Sequence, residues 1–325
     1  MVSRNCSLPA PWIYRSLMHF SHIVSGPVYA ITLLILCTEK SNMFKQYKYF
    51  LIFHTSVNII SELYLSLFML PTTYLPHPMF RTTGFLADLG FSGILQFHIM
   101  VFMVMTVGFS VTEMFYFRSK VAIADFQHLK FIKFLKVHLL LFRFLFIIYP
   151  ILAGATVKHS LQYQESTRKR LYYNFPELPS EVTCYSVIIF ASEDLVLYIF
   201  SVIYGIMIYL AIVIAFSSFI YVLIFMKKSS CNSKSTYTMQ KMLIISLFIQ
   251  AIIHTVMVMV PSVFQVYALF IPFPHNNIAT LLLLSVTYHG FFSTLAMIIF
   301  TKPLRHRILK CKKFGIRNNT VNFSQ

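Results

Sequence analysis

The chain has 325 residues, of which 57% are hydrophobic, 17% aromatic and only 11% charged, and its net charge is +17. Soluble domains carry roughly 25% charged residues, so a soluble surface is excluded, and disorder requires the opposite composition. Five cysteines in this length are too few for a secreted disulfide scaffold, which leaves an integral membrane protein.

The N-terminus, Met1–Trp12, is short and polar, with Pro9 and Pro11. It lacks the pattern of a cleavable signal peptide, so the first apolar run is expected to act as an uncleaved anchor. A helix crosses a bilayer with about 20 apolar residues. Seven runs meet that length: Leu17–Cys37, Tyr49–Leu70, Ile94–Phe117, Val137–Val157, Leu195–Met226, Met242–Phe270 and Ile278–Phe300. They are apolar all round rather than striped, and none shows the strict alternation of a barrel strand. No period repeats along the chain. The expected fold is therefore all-α: one seven-transmembrane helix bundle, with residues 301–325 as a tail.

Orientation follows from the basic residues. With the N-terminus outside, nineteen lysines and arginines fall on the inner side, in the loops around Lys40–Lys48, Arg118–Lys136 and Lys227–Lys241 and in the tail from Lys302. Seven fall outside, and Arg143 lies within the fourth run. The asymmetry satisfies the positive-inside rule for N-out and C-in. The longest outer segment is then Lys158–Asp194, broken by Pro176 and Pro179. The tail from Pro303 to Phe314 sets Leu304, Ile308, Cys311 and Phe314 at helical spacing among basic residues. That pattern suits a helix lying on an anionic inner leaflet.

Charges inside the runs are costly and mark candidate sites. Glu62 sits in the second run, roughly 20 Å beyond Tyr49 along the axis. It reads as a ligand contact or as a buried carboxyl bonded to a neighbouring helix. Glu113 and Arg143 fall at matching depth in the third and fourth runs and form a candidate switch pair, although a lone Arg143 snorkelling to the interface is the reading its depth favours. Gln96 and His98, with Gln265 and Tyr267, could line an outer pocket. The same holds of His22, His54, Gln250, His254 and His289 only as interhelical glue. No histidine pair with a carboxylate has metal-ligand spacing, and no cofactor motif is present.

No phosphate loop, G-x-S-x-G elbow, H-E-x-x-H or C-x-x-C occurs, so an enzyme is not expected. Nucleic-acid binding fits poorly, because the basic residues flank apolar spans. A transporter or ligand-gated channel is the alternative class, but repeats and pore-lining charge rings are missing. Cys6 and Cys184 are the two cysteines placed outside and can pair there. Cys311 lies in a basic stretch after the last run and is a palmitoylation candidate. Of the sequons at Asn5, Asn318 and Asn322, only Asn5 is outside in this topology.

Several passages carry a family resemblance. Pro9-Ala-Pro-Trp12 precedes His19; Phe44-Lys-Gln-Tyr-Lys-Tyr-Phe-Leu51 leads to Leu67-Phe-Met-Leu-Pro71; Met239-Gln-Lys241 runs through Gln250 to Pro261. Most specific is His289-Gly290-Phe-Phe-Ser293-Thr294-Leu-Ala-Met297, closing with Lys302-Pro303-Leu304-Arg305. Together they resemble the nematode chemosensory serpentine receptors, the group that includes class H and class I, with the Pro-Ala-Pro-Trp opening nearer class I. Leu304 stands where that group has Tyr, and His254 where a second proline often kinks the sixth span. Rhodopsin-like marks are missing: the third run ends Met114-Phe-Tyr-Phe-Arg118, and the seventh has no Asn-Pro-x-x-Tyr. The resemblance implies a G-protein-coupled receptor in sensory-neuron cilia that binds an extracellular small molecule and activates a heterotrimeric G protein. Topology nominates Arg118, Lys241, Pro261 and Arg305, with Glu113 and Arg143, for coupling or switching.

Overall fold

A computed structural model describes residues 10–38, 45–73, 79–122, 129–174, 183–190, 194–228, 234–270 and 276–301, with 304, 305 and 307. Its helices are α1 (Trp12–Thr38), α2 (Lys45–Leu63), α3 (Phe85–Asp88), α4 (Gly93–Ala122), α5 (Leu129–Asn174), α6 (Leu195–Lys228), α7 (Lys234–His254), α8 (Val260–Phe270) and α9 (Asn276–Phe300). Two π-helical turns, Tyr64–Met69 and Thr255–Met259, extend α2 and join α7 to α8. Seven helices are long and apolar enough to cross a membrane. The chain is a seven-span membrane bundle.

Its exterior is apolar: Ile147, Ile151, Leu140 and Phe144 of the fourth span are all more than half exposed. Its interior carries many small hydroxyls, among them Ser21, Ser25, Ser61, Ser110, Ser218 and Thr294. In lipid the outward face gains nothing from being polar, and close helix approach is what small residues permit. α4 is the central helix, packed against α2, α5, α6 and α7. Large side chains fill the end of the bundle nearest the tail, where Leu51, Phe115, Leu139, Leu247 and Met297 form one cluster.

The expected all-α bundle is there, with three features that the sequence reading lacked. First, the end away from the tail carries a three-stranded antiparallel sheet of β1 (Pro71–Thr73), β2 (Met79–Thr82) and β3 (Val187–Ile189), in the order β1-β2-β3. Strands this short leave no hydropathy signal. Second, α5 runs 46 residues, roughly 70 Å, so Lys158–Asn174 is helix and not loop. Third, Leu304 is 1% exposed and belongs to the tail-end core. It therefore plugs the bundle instead of facing a leaflet. The tail beyond residue 307, Cys311 and the sequons included, lies outside the described residues, as do Asn5 and Cys6.

The helical extension holds the sheet. Gln164 grips Ile189 twice, Nε2 donating to its carbonyl at 2.8 Å and Oε1 accepting from its N–H at 2.9 Å. Arg168 Nη1 donates to the carbonyls of Cys184, Tyr185 and Val187. Gly93 opens α4 beneath the same loop and donates its N–H to Tyr185. A Cβ at Gly93 would lie 2.5 Å from the Ser186 carbonyl oxygen, a contact no side chain could share. Cys184 is buried there and disulfide-bonded.

Candidate ligand cavity and polar core

In α2 and the π-helical turn that extends it, His54, Asn58, Glu62 and Ser66 recur every four residues, which places them on one face of the second span. All four are buried, so the polar stripe points into the bundle. Glu62 is held by the first span: Ser25 Oγ donates to Oε1 at 2.6 Å and Tyr29 OH to Oε2 at 2.8 Å. His22 Nδ1 stands 3.6 Å from the same carboxylate and its Nε2 is 2.7 Å from Ser66 Oγ. The Glu62 carboxyl is thus hydrogen-bonded to a neighbouring helix. Gly290 makes the close fit possible. A Cβ there would lie 2.6 Å from Tyr29 OH and 2.9 Å from Asn58 Cβ.

Two turns along the stripe, His54 joins three spans. Its Nδ1 is 2.7 Å from Ser110 Oγ of α4, and its Nε2 is 3.2 Å from both Ser293 Oγ of α9 and Asn58 Nδ2. His289 and His254 stack edge to face beside it, with centroids 5.5 Å apart. Around this junction several buried polar atoms have no partner: Asn58 Oδ1, His289 Nε2, His254 Nδ1, Thr55 Oγ1 and Thr294 Oγ1. The i, i+4 spacing of the stripe is the sequence signal that would have found the junction. The His254 ring carried no such signal.

Next to His254 a cavity of about 140 Å³ opens between α4, α6 and α7, with Phe142 of α5 at its back. Among the residues that line it are Gly108, Ala211, Ala215 and Ala251, where larger side chains would fill it. A second space of about 50 Å³ lies nearer the sheet, between Met100, Val104, Pro261 and Leu283. Pro261 has no N–H to give the carbonyl four residues earlier. That carbonyl, of Met257, accepts from Ser285 Oγ of α9 at 3.2 Å, and the intervening turn is wound as π-helix, a form common at functional sites.

The residues nominated from sequence are dispersed. Gln96 is buried and spends its Nε2 on the Phe91 carbonyl. His98 packs within Tyr149 and Phe200, 3.1 Å from Tyr149 OH. Tyr267 is 47% exposed on the bundle's exterior, and the side chain of Gln265 is outside the described set. None of these meets Glu62 in one pocket, and Gln96 Oε1 and His98 Nε2 stay buried without a partner. Glu113 and Arg143 do meet, in a bidentate pair at 2.6 and 2.8 Å, which overturns the snorkelling reading. Arg118 is buried too, its guanidinium 3.4 Å over the Tyr47 ring. Its Nε and Nη2 lack partners, so it is not displayed at the surface as topology had suggested. Arg305 is exposed and donates to the Ile299 carbonyl at the end of α9, and Lys241 is exposed near the same end.

Among the described residues no group of three metal-ligating side chains comes together. No curated protein and no solved structure matches the chain. The family model described as the serpentine-type 7TM GPCR chemoreceptor Srh matches residues 9–314. It favours class H over class I, and it is a receptor family and not an enzyme family. The bundle described above, its seven spans and its His289–Met297 passage all fall within that match, and the chain belongs to the Srh family of nematode seven-transmembrane chemoreceptors.

Proposed function

We propose that the protein is a chemosensory receptor that binds an extracellular small molecule and passes the signal to a heterotrimeric G protein at the tail end of the bundle. In this reading the sheet end faces outside, Cys6 pairs with Cys184 across the outer surface, Asn5 is glycosylated and the basic end faces the cytosol. The polar junction carries the reading. A ligand changes a receptor only by preferring one packing over another, and a core of shared hydroxyl and imidazole contacts with unpaired atoms left over has partners for a second packing. His54 is the hub of that core, touching α2, α4 and α9 at once.

Arg118 supports the cytosolic assignment. It is a buried cation with free donors near the basic end of the third span, where outward movement of neighbouring helices would uncover it for an acidic partner. The test is a tagged full-length chain expressed in ciliated sensory neurons and exposed to volatile and soluble cue panels. Cue-evoked second-messenger change that G-protein inhibition abolishes is the expected result. A cue-evoked current that persists under inhibition would replace this reading with a ligand-gated channel. Glycosylation at Asn318 or Asn322 instead of Asn5 would reverse the topology.

A further inference from the structure

The cavity between the fifth and sixth spans has a roof, a floor and an open side. At its sheet-facing end Tyr204 OH lies 3.2 Å from Ser262 Oγ, tying the two spans together. Beyond that tie, Tyr149 and Phe200 are buried in one cluster. At the other end Phe248 stacks on Phe219, centroids 3.8 Å apart and nearly parallel, and meets Phe216 edge to face. Between these closures the lining residues Ile212, Phe216, Ile252 and Val256 are 37%, 49%, 44% and 57% exposed on the bundle's outer face. In a membrane that face meets acyl chains, so the cavity's side opening leads into lipid.

Of the polar side chains that line this space, Thr112 and Thr255 donate to carbonyls of their own helix and Tyr204 pairs with Ser262, which leaves the His254 imidazole. His254 lines the cavity, and its Nε2 lies 4.0 Å from where a Cβ on Gly108 would stand. Nδ1 on the same ring is buried without a hydrogen-bond partner. An imidazole inside a bundle costs free energy unless it is bonded, and water reaches such a site only where several polar partners can hold it. The cavity supplies mostly apolar walls and one imidazole with a nitrogen left unpaired. An engineered protein cavity of about 150 Å³ takes benzene, which sets the size of an occupant here.

We infer that this cavity is a ligand site reached through the bilayer between the fifth and sixth spans, and that it takes a lipid-soluble, single-ring molecule with one hydrogen-bonding oxygen directed at His254. The inference rests on the receptor reading for its biological meaning and deepens it, because it names the class of cue and the route. A ligand seated there touches the π-helical turn through Thr255, Val256 and Met259, and His254 touches His289 of the polar junction. Binding would therefore bear directly on the sixth span where its winding changes.

The test uses the full chain purified into lipid nanodiscs and photolabelled with 3-phenyl-3-(trifluoromethyl)diazirine, a single-ring apolar probe. Peptides holding Ala211–Ala215 and Ala251–Val256 are expected to be labelled, and saturating acetophenone or toluene should remove that labelling. Ala211→Phe, which fills the cavity, should reduce it to the level of the other lipid-facing helices; Ala251→Leu is the second variant should the first not fold. His254→Phe should weaken competition by acetophenone several-fold and leave toluene unchanged. Labelling that neither competitor reduces would mean an acyl chain or nothing sits there, and would overturn the proposal, as would labelling untouched by both cavity-filling variants. Because the readout is binding, competable labelling in a chain that evokes no second messenger would remove the receptor reading alone, and cue-evoked signalling without competable labelling would remove the cavity alone.

Discussion

Arg143 Nε lies 2.6 Å from Glu113 Oε1, and Nη2 lies 2.8 Å from Oε2, so the fork of the guanidinium closes on both carboxylate oxygens. Glu113 is 11% exposed and Arg143 49% exposed along their side chains. The carboxylate faces the bundle while the stem of the arginine runs along its lipid side. Planar two-point pairing of this kind fixes orientation as well as charge, and here it locks α4 to α5.

Breaking such a pair from one side leaves the other charge stranded, at a cost of about 3–5 kcal/mol for buried pairs. The half-exposed arginine puts this one at the lower end. Arg143→Gln should therefore lower thermal stability more than Glu113→Gln, since the first strands the more buried partner. The double exchange Glu113→Arg with Arg143→Glu should recover surface expression lost in each single exchange. Thermal melts and surface labelling read both effects. A double exchange whose loss equals the sum of the two single losses would mean the two residues act separately.

Gly290 and Tyr29 make a second coupled pair. Gly290→Ala puts a methyl 2.6 Å from Tyr29 OH, the group that donates to Glu62. Overpacking of this sort costs about 1–3 kcal/mol. Part of that cost should vanish in a Tyr29→Phe background, where the oxygen is gone, while the contact with Asn58 Cβ remains. A Gly290→Ala penalty of identical size in both backgrounds, measured by melting in nanodiscs, would show that Tyr29 does not constrain the approach of the first and seventh spans.

The seven spans were legible because length and hydropathy alone determine them; the depths of Glu113 and Arg143 were legible too, but depth alone favoured a snorkelling arginine over the pair the structure has. The sheet was not legible. Its strands are three or four residues long, and Gln164 and Arg168, which hold β3, sit on a helix that looked like loop because it is polar. The cavity was equally hidden. Gly108, Ala211, Ala215 and Ala251 are ordinary residues in apolar runs, and only their convergence from three helices makes a void. Gln96 and His98 drew notice as polar residues in a span, and the structure gives each one local partner and one buried atom without any.

Asp194 offers a pH-dependent test outside the spans. Its Oδ1 accepts the N–H groups of Val196 and Leu197 and so caps α6. Burial pushes its carboxyl above the ordinary 3.8, with those two hydrogen bonds and His159 pulling the other way. A folded-state value above the unfolded one means that the proton stabilises the fold at acid pH and that this contribution is lost as pH rises through the folded value. Asp194→Asn keeps a capping oxygen without the buried charge. The variant should melt higher than the parent at pH 7, and the difference should shrink as pH is lowered through the carboxylate range. A difference independent of pH would place the cause elsewhere.

Ser285 and Pro261 decide how the sixth span bends. Pro261 leaves the Met257 carbonyl without its helical donor, and Ser285 Oγ of the seventh span, 2.7 Å from the Leu282 carbonyl of its own helix, shares its proton with it at 3.2 Å. Ser285→Ala should cost about 1 kcal/mol, the usual net worth of such a bond. In a Pro261→Ala background the same change should cost much less, because residue 261 then has an N–H for that carbonyl. Pro261→Ala alone should raise the melting temperature by removing a helix interruption while reducing cue-evoked signalling, since a straightened sixth span loses the π-helical turn beside His254. Stability is read by melting in nanodiscs and signalling by second messenger in the sensory-cell assay. A Pro261→Ala receptor that signals as the parent does would show that the bend is packing only, and that the junction around His54 moves without it.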